Sequence, residues 1–197
     1  LSGSLSRIIL GVWTERFGGR LVFAVQMILA GIATWSLIWA GSYASWLIAA
    51  LGVGLAGGSF IIGVTYVSKW YPAGKQGTAL GIFGMGNVGA AVTKFLAPFV
   101  LVAWGWQAVA QIWSVVLIGA GVLFYLLARD DPDFAARRAA GIQPPSLAQQ
   151  FAPLKNLQVW RFGLYYLFVF GGFMALALWL PHYLTQVYAI DIRTAGI

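Results

Sequence analysis

The sequence contains no cysteine, a single histidine and five acidic residues among 197. Without cysteine the chain cannot be a disulfide-stabilised scaffold, and His182 has no nearby carboxylate or second histidine with which to form a metal or catalytic site. Charged residues make up only 9% of the chain, against roughly a quarter in ordinary soluble domains. Most of the sequence therefore cannot face water, and no cofactor is expected.

The net charge of +7 does not indicate a nucleic-acid partner. The basic residues are scattered singly between apolar blocks, whereas nucleic-acid binding needs them clustered on one face. The high hydrophobic fraction of 60% also excludes intrinsic disorder.

The hydrophobic residues form runs long enough to cross a bilayer. No residue between Leu21 and Ser68 is charged, and about twenty apolar residues cross the ~30 Å hydrocarbon core, so this run predicts two helices divided at 41–45. Three more spans are predicted at about 76–103, 108–128 and 162–183, with the tail of a helix at 1–13 and the start of another near the C-terminus. The runs lack strict apolar–polar alternation, and the predicted fold class is an all-α polytopic membrane helix bundle.

Basic residues occupy alternate connections between these spans. Nine of the twelve lie there: Arg16, Arg20, Lys69, Lys75, Arg129, Arg137, Arg138, Lys155 and Arg161. The connections at 41–45 and 103–107 carry none. Because basic loops stay on the cytoplasmic side, the loops at 13–20, 69–75 and 129–158 are predicted to be cytoplasmic, in a bacterial-type inner membrane.

Both ends of the sequence are expected to be internal to a longer protein, since there is no initiator methionine and residues 1–13 give only part of a span. The predicted organisation is a half-bundle at 1–128, a cytoplasmic linker at 129–158 with short helices on the membrane surface, and the start of a second half-bundle at 159–197.

The connection at 11–20 reads GVWTERFGGR. By composition alone it is a tight turn with positive-inside charges. Its order of glycine, acid, base, glycine-rich turn and base resembles the loop between the second and third helices of the major facilitator superfamily. The resemblance implies gating roles for Gly11, Glu15, Arg16, Gly19 and Arg20. The family usually has Asp where this sequence has Glu15.

The glycine-rich run at 57–98 is the most specific pattern. Residues 84–89 match GxGxxG, but they lie within an apolar span with no acid about twenty positions later, which excludes a dinucleotide site. Close helix packing through the GxxxG pairs Gly54/Gly58 and Gly77/Gly81 explains some of the glycines. It does not explain Asn87, a polar residue in the middle of a span.

The run at 57–98 resembles the first nitrate signature of the nitrate/nitrite porter family, a branch of the major facilitator superfamily. Residues 1–7 resemble that family's second helix and residues 166–173 its seventh. The resemblance implies a twelve-helix bundle whose halves enclose a nitrate or nitrite site at their interface. It implies substrate contacts from Arg7, Phe60, Asn87 and Tyr166, and conformational roles for Gly84, Gly86 and Gly89.

Each substrate residue has a structural alternative. Arg7 offers a planar fork to an oxyanion or extends its charge to the interface. Asn87 donates to an anion or holds two helices together, and Phe60 covers a flat solute or simply packs. Tyr166 lines the site or bonds to a neighbouring backbone, and the adjacent Tyr165 takes its place if the register is off by one. Lys94 either reaches the outer interface or attracts anions to an entrance.

The functional hypothesis is a secondary transporter of nitrate and nitrite that works by alternating access, through anion exchange or proton-coupled symport. Its expected partners are the small inorganic anion, the lipid bilayer and the missing C-terminal half of the same chain, with a second arginine. No Asp or Glu lies within a predicted span, which argues against a cation substrate. The alternative is a carrier of another small anion such as oxalate, formate or cyanate; an enzyme or a passive channel lacks a supporting motif.

Overall fold

The computed structural model describes residues 2–190, except for the side chains at 177, 178 and 181, and is built from α-helices. The helices are α1 (Ser2–Phe17), α2 (Gly19–Ser36), α3 (Tyr43–Gly54), α4 (Ser59–Ser68), α5 (Ala73–Gly84), α6 (Val88–Leu127), α7 (Pro132–Ala139), α8 (Leu147–Phe151) and α9 (Leu157–Tyr188). Short 3-10 segments continue them at Leu37–Trp39, Leu55–Gly58, Met85–Asn87 and Ala152–Lys155. The helix start expected near the C-terminus lies outside the described residues.

Four helical segments of the described chain are long and apolar enough to cross a membrane: Gly19–Trp39, Tyr43–Ser68, Ala73–Leu127 and Leu157–Leu176. The third is a hairpin rather than one rod, because Gly105 interrupts it with φ 83° and ψ 172°, a left-handed φ that glycine adopts most readily. The indole Nε1 of Trp113 donates to the Thr93 hydroxyl across the hairpin at 3.0 Å. Counting both arms, the five predicted spans are confirmed.

The break in the long uncharged run follows from local hydrogen bonding at Ser42. Its hydroxyl accepts a hydrogen bond from the backbone of Ser45, and the Ser45 hydroxyl accepts one from the Ser42 backbone. This reciprocal capping satisfies amide groups that have no partner within the first turn of a helix. Helix α3 therefore starts at Tyr43, inside the predicted division at 41–45.

The helices alternate in direction. Helix α1 runs parallel to α3 and α4, since Arg7 contacts Gly57 and Glu15 contacts Lys69. Helix α2 runs antiparallel to the second arm of α6: the Ser114 hydroxyl donates to the Gly31 carbonyl at 2.6 Å, and Arg20 binds the Tyr125 carbonyl.

In the bundle formed by the first 145 residues, the basic connections therefore lie at one end of the helices and the uncharged connections at the other. The basic end, where Lys69 and Arg137 meet Glu15, contains the connections predicted to be cytoplasmic. At the other end the rings of Trp46 and Trp106 lie 5.4 Å apart, beside the connections without charge.

A small core lies between α1, α2 and α4, where Leu10, Val22 and Ile62 are buried against one another. Most other large apolar side chains are exposed, which suits a helix surface in contact with hydrocarbon. The chain divides into two compact units, residues 1–145 and 146–197. The linker predicted at 129–158 therefore contributes α7 to the first unit and α8 to the second.

Candidate functional site

Arg7 lies on α1 with a half-buried side chain directed at α3 and the 3-10 segment that follows it. Its guanidinium Nε donates a hydrogen bond to the carbonyl of Gly57 at 3.0 Å. Arg7 also lines a cavity of about 430 Å³ together with Leu47, Leu51 and Gly54. Within the described residues no carboxylate pairs with it. A backbone carbonyl therefore orients the cation without neutralising it.

Glycine lets α1 approach this segment closely. A Cβ on Gly3 would stand 2.6 Å from the Gly54 carbonyl oxygen, and one on Gly58 would stand 2.3 Å from Leu10 Cδ1. Real Cβ atoms essentially never come this close to another heavy atom, so a larger residue at Gly3 or Gly58 would force its neighbours to shift. The predicted close packing at the Gly54/Gly58 pair is therefore confirmed, whereas Gly77 and Gly81 have no described neighbour within 4 Å.

Gln26 is a residue that the sequence patterns missed. It lies on α2, is 4% exposed, and its Nε2 donates to the Leu55 carbonyl at 2.6 Å. Arg7 and Gln26 thus bind two carbonyls of the same 3-10 segment, Leu55–Gly58, where the helical hydrogen-bonding pattern changes and side-chain donors can replace it. The sequence did offer a signal for it, because Gln26 is a polar amide within the long run that has no charged residue.

Phe60 lies directly after this segment along the chain, whereas Asn87 lies in the next span. Phe60 follows Gly57 by one turn, and its ring packs on Phe83 with centroids 5.7 Å apart. Asn87 follows Phe83 by one turn, which places the two on one side of the helix. Asn87 is exposed and ends a second 3-10 segment, Met85–Asn87, within its span. Its side chain forms no hydrogen bond in the described part of the chain.

The predicted substrate residues of the first unit do not share the cavity at Arg7. The cavity at Arg7 has neither Phe60 nor Asn87 in its lining. Tyr166 belongs to the second unit, on α9, where its ring stacks on Phe170 with centroids 5.4 Å apart and planes 7° apart. Tyr165 instead packs edge-on against Phe162.

Three glycines are predicted to act in conformational change: Gly84, Gly86 and Gly89. A Cβ added at any of them would have no described atom within 4 Å, and their role stays a prediction. Lys94 is exposed and forms no ion pair among residues 2–190. The backbone carbonyl of His182 accepts a hydrogen bond from the Thr185 hydroxyl. No group of three or more histidine, cysteine or acidic residues that could hold a metal occurs in the described chain.

Glu15 is the centre of the predicted gating loop. Its two carboxylate oxygens bind two different cations, Lys69 at 2.5 Å and Arg137 at 3.1 Å. Burial alone raises the pKa of this carboxyl, but the hydrogen bonds and charges of Lys69 and Arg137 outweigh burial and lower its pKa below the ordinary 4.5. Glu15 therefore stays ionised and joins α1 to the end of α4 and to α7.

The remaining residues of the gating loop have separate partners. Arg20 donates from Nε and Nη2 to the Tyr125 carbonyl at 2.8 and 2.6 Å, with its guanidinium over the Tyr125 ring. Arg16 lies over the ring of Phe17. A Cβ on Gly19 would come within 2.6 Å of the Tyr66 ring, whereas one on Gly11 would make an ordinary contact with Ile61.

Helix α7 docks on this loop, a contact that the sequence patterns did not predict. Asp131 caps the helix by accepting from the Phe134 amide at 2.9 Å. The Phe134 ring then lies against Gly18, whose φ of 88° and close contact both require glycine. Together with the Arg137–Glu15 pair, these contacts hold the first part of the linker against α1.

Glu15→Gln is expected to loosen α7, because it removes the charge that holds both Lys69 and Arg137 while keeping the side-chain shape. Partly exposed ion pairs contribute up to ~1 kcal/mol, so amide hydrogen exchange over 132–139 should accelerate up to about fivefold. Since the carboxyl has a lowered pKa, the stabilisation is complete above pH 4.5 and is lost as the pH falls through that lowered pKa.

Asp130→Asn is the matched control for this variant, because it also neutralises one acid at the basic end, while Asp130 lies outside α7 and forms no ion pair among the described residues. Equal acceleration of exchange in both variants would show that the Glu15 pairs do not hold the helix.

The chain spans about half the length of the curated relatives it matches. A probable nitrate/nitrite antiporter of Thermus thermophilus is 38% identical over 100% of this chain and 46% of its own length. The nitrite extrusion protein of Bacillus subtilis is 34% identical over 99% of this chain and 48% of its own. A probable nitrate transporter of Staphylococcus epidermidis is 32% identical over 99% and 49%. No solved structure matches the chain.

The names of these relatives describe transport or extrusion, and none describes an enzyme. The Major Facilitator Superfamily model matches residues 1–197, in agreement with the membrane-spanning helices described above. The chain is therefore part of an integral membrane protein and belongs to the Major Facilitator Superfamily.

Proposed function

We propose that this chain forms about half of a secondary transporter that carries nitrate and nitrite across the membrane by alternating access. The observation that carries the proposal is Arg7: a guanidinium among membrane helices, held by the Gly57 carbonyl and paired with no described carboxylate. A charge in such a place is costly and is retained where it acts on a substrate. The printed names of the relatives support nitrate and nitrite as the substrates.

The chemistry of the guanidinium suits a flat oxyanion. With Nε bound to the Gly57 carbonyl, the two terminal nitrogens are left to donate parallel hydrogen bonds to two oxygens of nitrate or nitrite. A lysine offers a single charged point and cannot reproduce this pairing. Asn87 would add an amide donor, Phe60 a flat apolar surface and Tyr166 a hydroxyl from the second half.

The transport cycle follows from charge. In the family pattern a second arginine in the other half faces Arg7, and two facing cations repel each other until an anion lies between them. Binding would then favour closure of the two halves around the solute, as differential affinity requires. The 3-10 segments beside Arg7 and Asn87 are the positions in these spans where helices would bend.

Proteoliposomes containing the complete protein test the substrate. With nitrite inside, uptake of isotopically labelled nitrate is expected to exceed that of protein-free liposomes and to be competed by external nitrate and nitrite. Oxalate, formate and cyanate at the same concentration are expected to compete poorly. Competition by one of these three, with none by nitrite, would replace the proposed substrate by the alternative anion.

The same vesicles separate exchange from symport. No acidic residue lies in the membrane spans of the described chain, and such a carboxylate is the usual carrier of a coupled proton. Exchange is therefore the expected mode, and uptake should require an internal anion. Uptake into anion-free vesicles driven by an imposed pH gradient would contradict it.

A further inference from the structure

A cavity of about 620 Å³ at the basic end of the first unit has no part in the proposed transport function. It lies between the end of α4, the second half of α5 and the end of α6. Its lining changes character with depth: Arg129, Trp70 and Tyr71 lie at the basic end with Leu127, the last residue of α6, whereas Ile82 and Phe83 lie deeper in the span, in the second half of α5.

The charged group at the mouth is available to a ligand. Arg129 is exposed, and its guanidinium forms no ion pair or hydrogen bond with the described residues. Asp130 and Asp131 follow it in sequence and lie within electrostatic reach of Tyr66 in the cavity wall, although neither carboxylate lines the cavity. Asp131 is fully buried and caps α7. The hydroxyl of Tyr66, from the back wall, donates to the Arg129 carbonyl, which fixes the backbone that carries the guanidinium.

The apolar part extends into the depth of the hydrocarbon. From Ala73 to Phe83 the helix rises roughly 15 Å, about half of the ~30 Å core. Ile82 is 65% and Leu127 73% exposed, so the cavity is open along its side. Trp70 and Tyr71, 41% and 47% exposed, stand where aromatic residues meet the headgroup region.

We propose that this cavity binds an anionic phospholipid of the cytoplasmic leaflet, with the phosphate at Arg129, the glycerol region beside Trp70 and Tyr71, and an acyl chain that passes Leu127 and runs along Ile82. The order of the lining, cation, amphipathic aromatics and then aliphatic side chains, matches the polarity of a phospholipid from headgroup to tail. Basic pockets between spanning helices on the cytoplasmic side bind acidic headgroups in this way. A soluble anion would gain nothing from the apolar half of the cavity.

Native mass spectrometry of the complete protein in detergent tests the proposal, with dioleoylphosphatidylglycerol and dioleoylphosphatidylcholine as probes. The wild type should retain one phosphatidylglycerol in preference to phosphatidylcholine. Arg129→Gln is expected to weaken that binding about fivefold or more, the effect of removing one basic side chain at the membrane surface. Arg138→Gln, a neutralised exposed base outside the cavity, should bind as the wild type does.

A second variant probes the apolar half without altering charge. Ile82→Trp would occupy the space assigned to the acyl chain and is expected to reduce retention of phosphatidylglycerol as well. If Arg129→Gln does not fold, this variant alone decides the proposal.

Equal retention of phosphatidylglycerol by the wild type, Arg129→Gln and Arg138→Gln would overturn the proposal. The lipid would then be held only by the general positive charge of the basic end. Displacement of the lipid by millimolar glycerol phosphate would overturn it in favour of a soluble anion, and a wild type that retains no phosphatidylglycerol would show that other protein segments cover the cavity.

Discussion

Replacing Arg7 by lysine is expected to reduce nitrate uptake roughly tenfold or more while the protein folds normally. Lysine keeps the positive charge but loses the planar fork, and a hydrogen bond to a charged group contributes about 1.5–3 kcal/mol. It also lacks the Nε that binds the Gly57 carbonyl, so its ammonium would not be oriented. Initial rates of labelled nitrate uptake into proteoliposomes measure the loss.

Arg138→Lys is the matched control, because it makes the same exchange at an exposed residue of α7. It should transport at the rate of the wild type. Size-exclusion profiles and thermal unfolding in detergent should be alike for all three proteins. Near-normal uptake by Arg7→Lys would remove Arg7 from the mechanism, even if the rest of the fold were as described.

Gly58→Val is expected to destabilise the protein by about 2–3 kcal/mol, the usual cost of adding methyl groups to a closely packed contact. The new Cβ would stand 2.3 Å from Leu10 Cδ1 and 2.9 Å from Ser6 Oγ. Leu10 belongs to the buried core, so either its side chain would have to leave its packed position or α1 would have to move away from the 3-10 segment. A lower melting temperature and a lower yield of monodisperse protein measure the effect.

Gly119→Val makes the same change in the second arm of α6, where no described atom lies within 4 Å of the new Cβ. This variant should melt within a few degrees of the wild type, since the helix propensities of valine and glycine differ by only a few tenths of a kcal/mol. If Gly58→Val were as stable as Gly119→Val, the close approach of α1 to this segment would be wrong.

The fold could largely be predicted because membrane spans are set by composition over about twenty residues. The uncharged run from Leu21 to Ser68 indicated two helices, and Ser42 supplied the cap that divides them. Gly105 required a φ of 83° at the centre of a connection already predicted at 103–107. The cap at Ser42 and the turn at Gly105 each depend on residues within a few positions of them in the sequence.

The contacts between distant residues could not be predicted in the same way. Gln26 reaches Leu55 over 29 residues, and Arg137 reaches Glu15 over 122. Nothing in the local pattern fixes which carbonyl or carboxylate a side chain meets, because that depends on how the helices pack. The substrate residues were accordingly named one by one, through family resemblance, and their common cavity stays a prediction.

The partner of Arg7 has a consequence for how the proposed substrate site responds to acidity. A main-chain carbonyl such as that of Gly57 takes up no proton anywhere in the physiological range, unlike a carboxylate counterion. Gain or loss of a proton by its partner therefore cannot release this guanidinium. The contact that an acid does secure lies at the loop, where Glu15 holds α7 and would release it only as the pH falls through its lowered pKa.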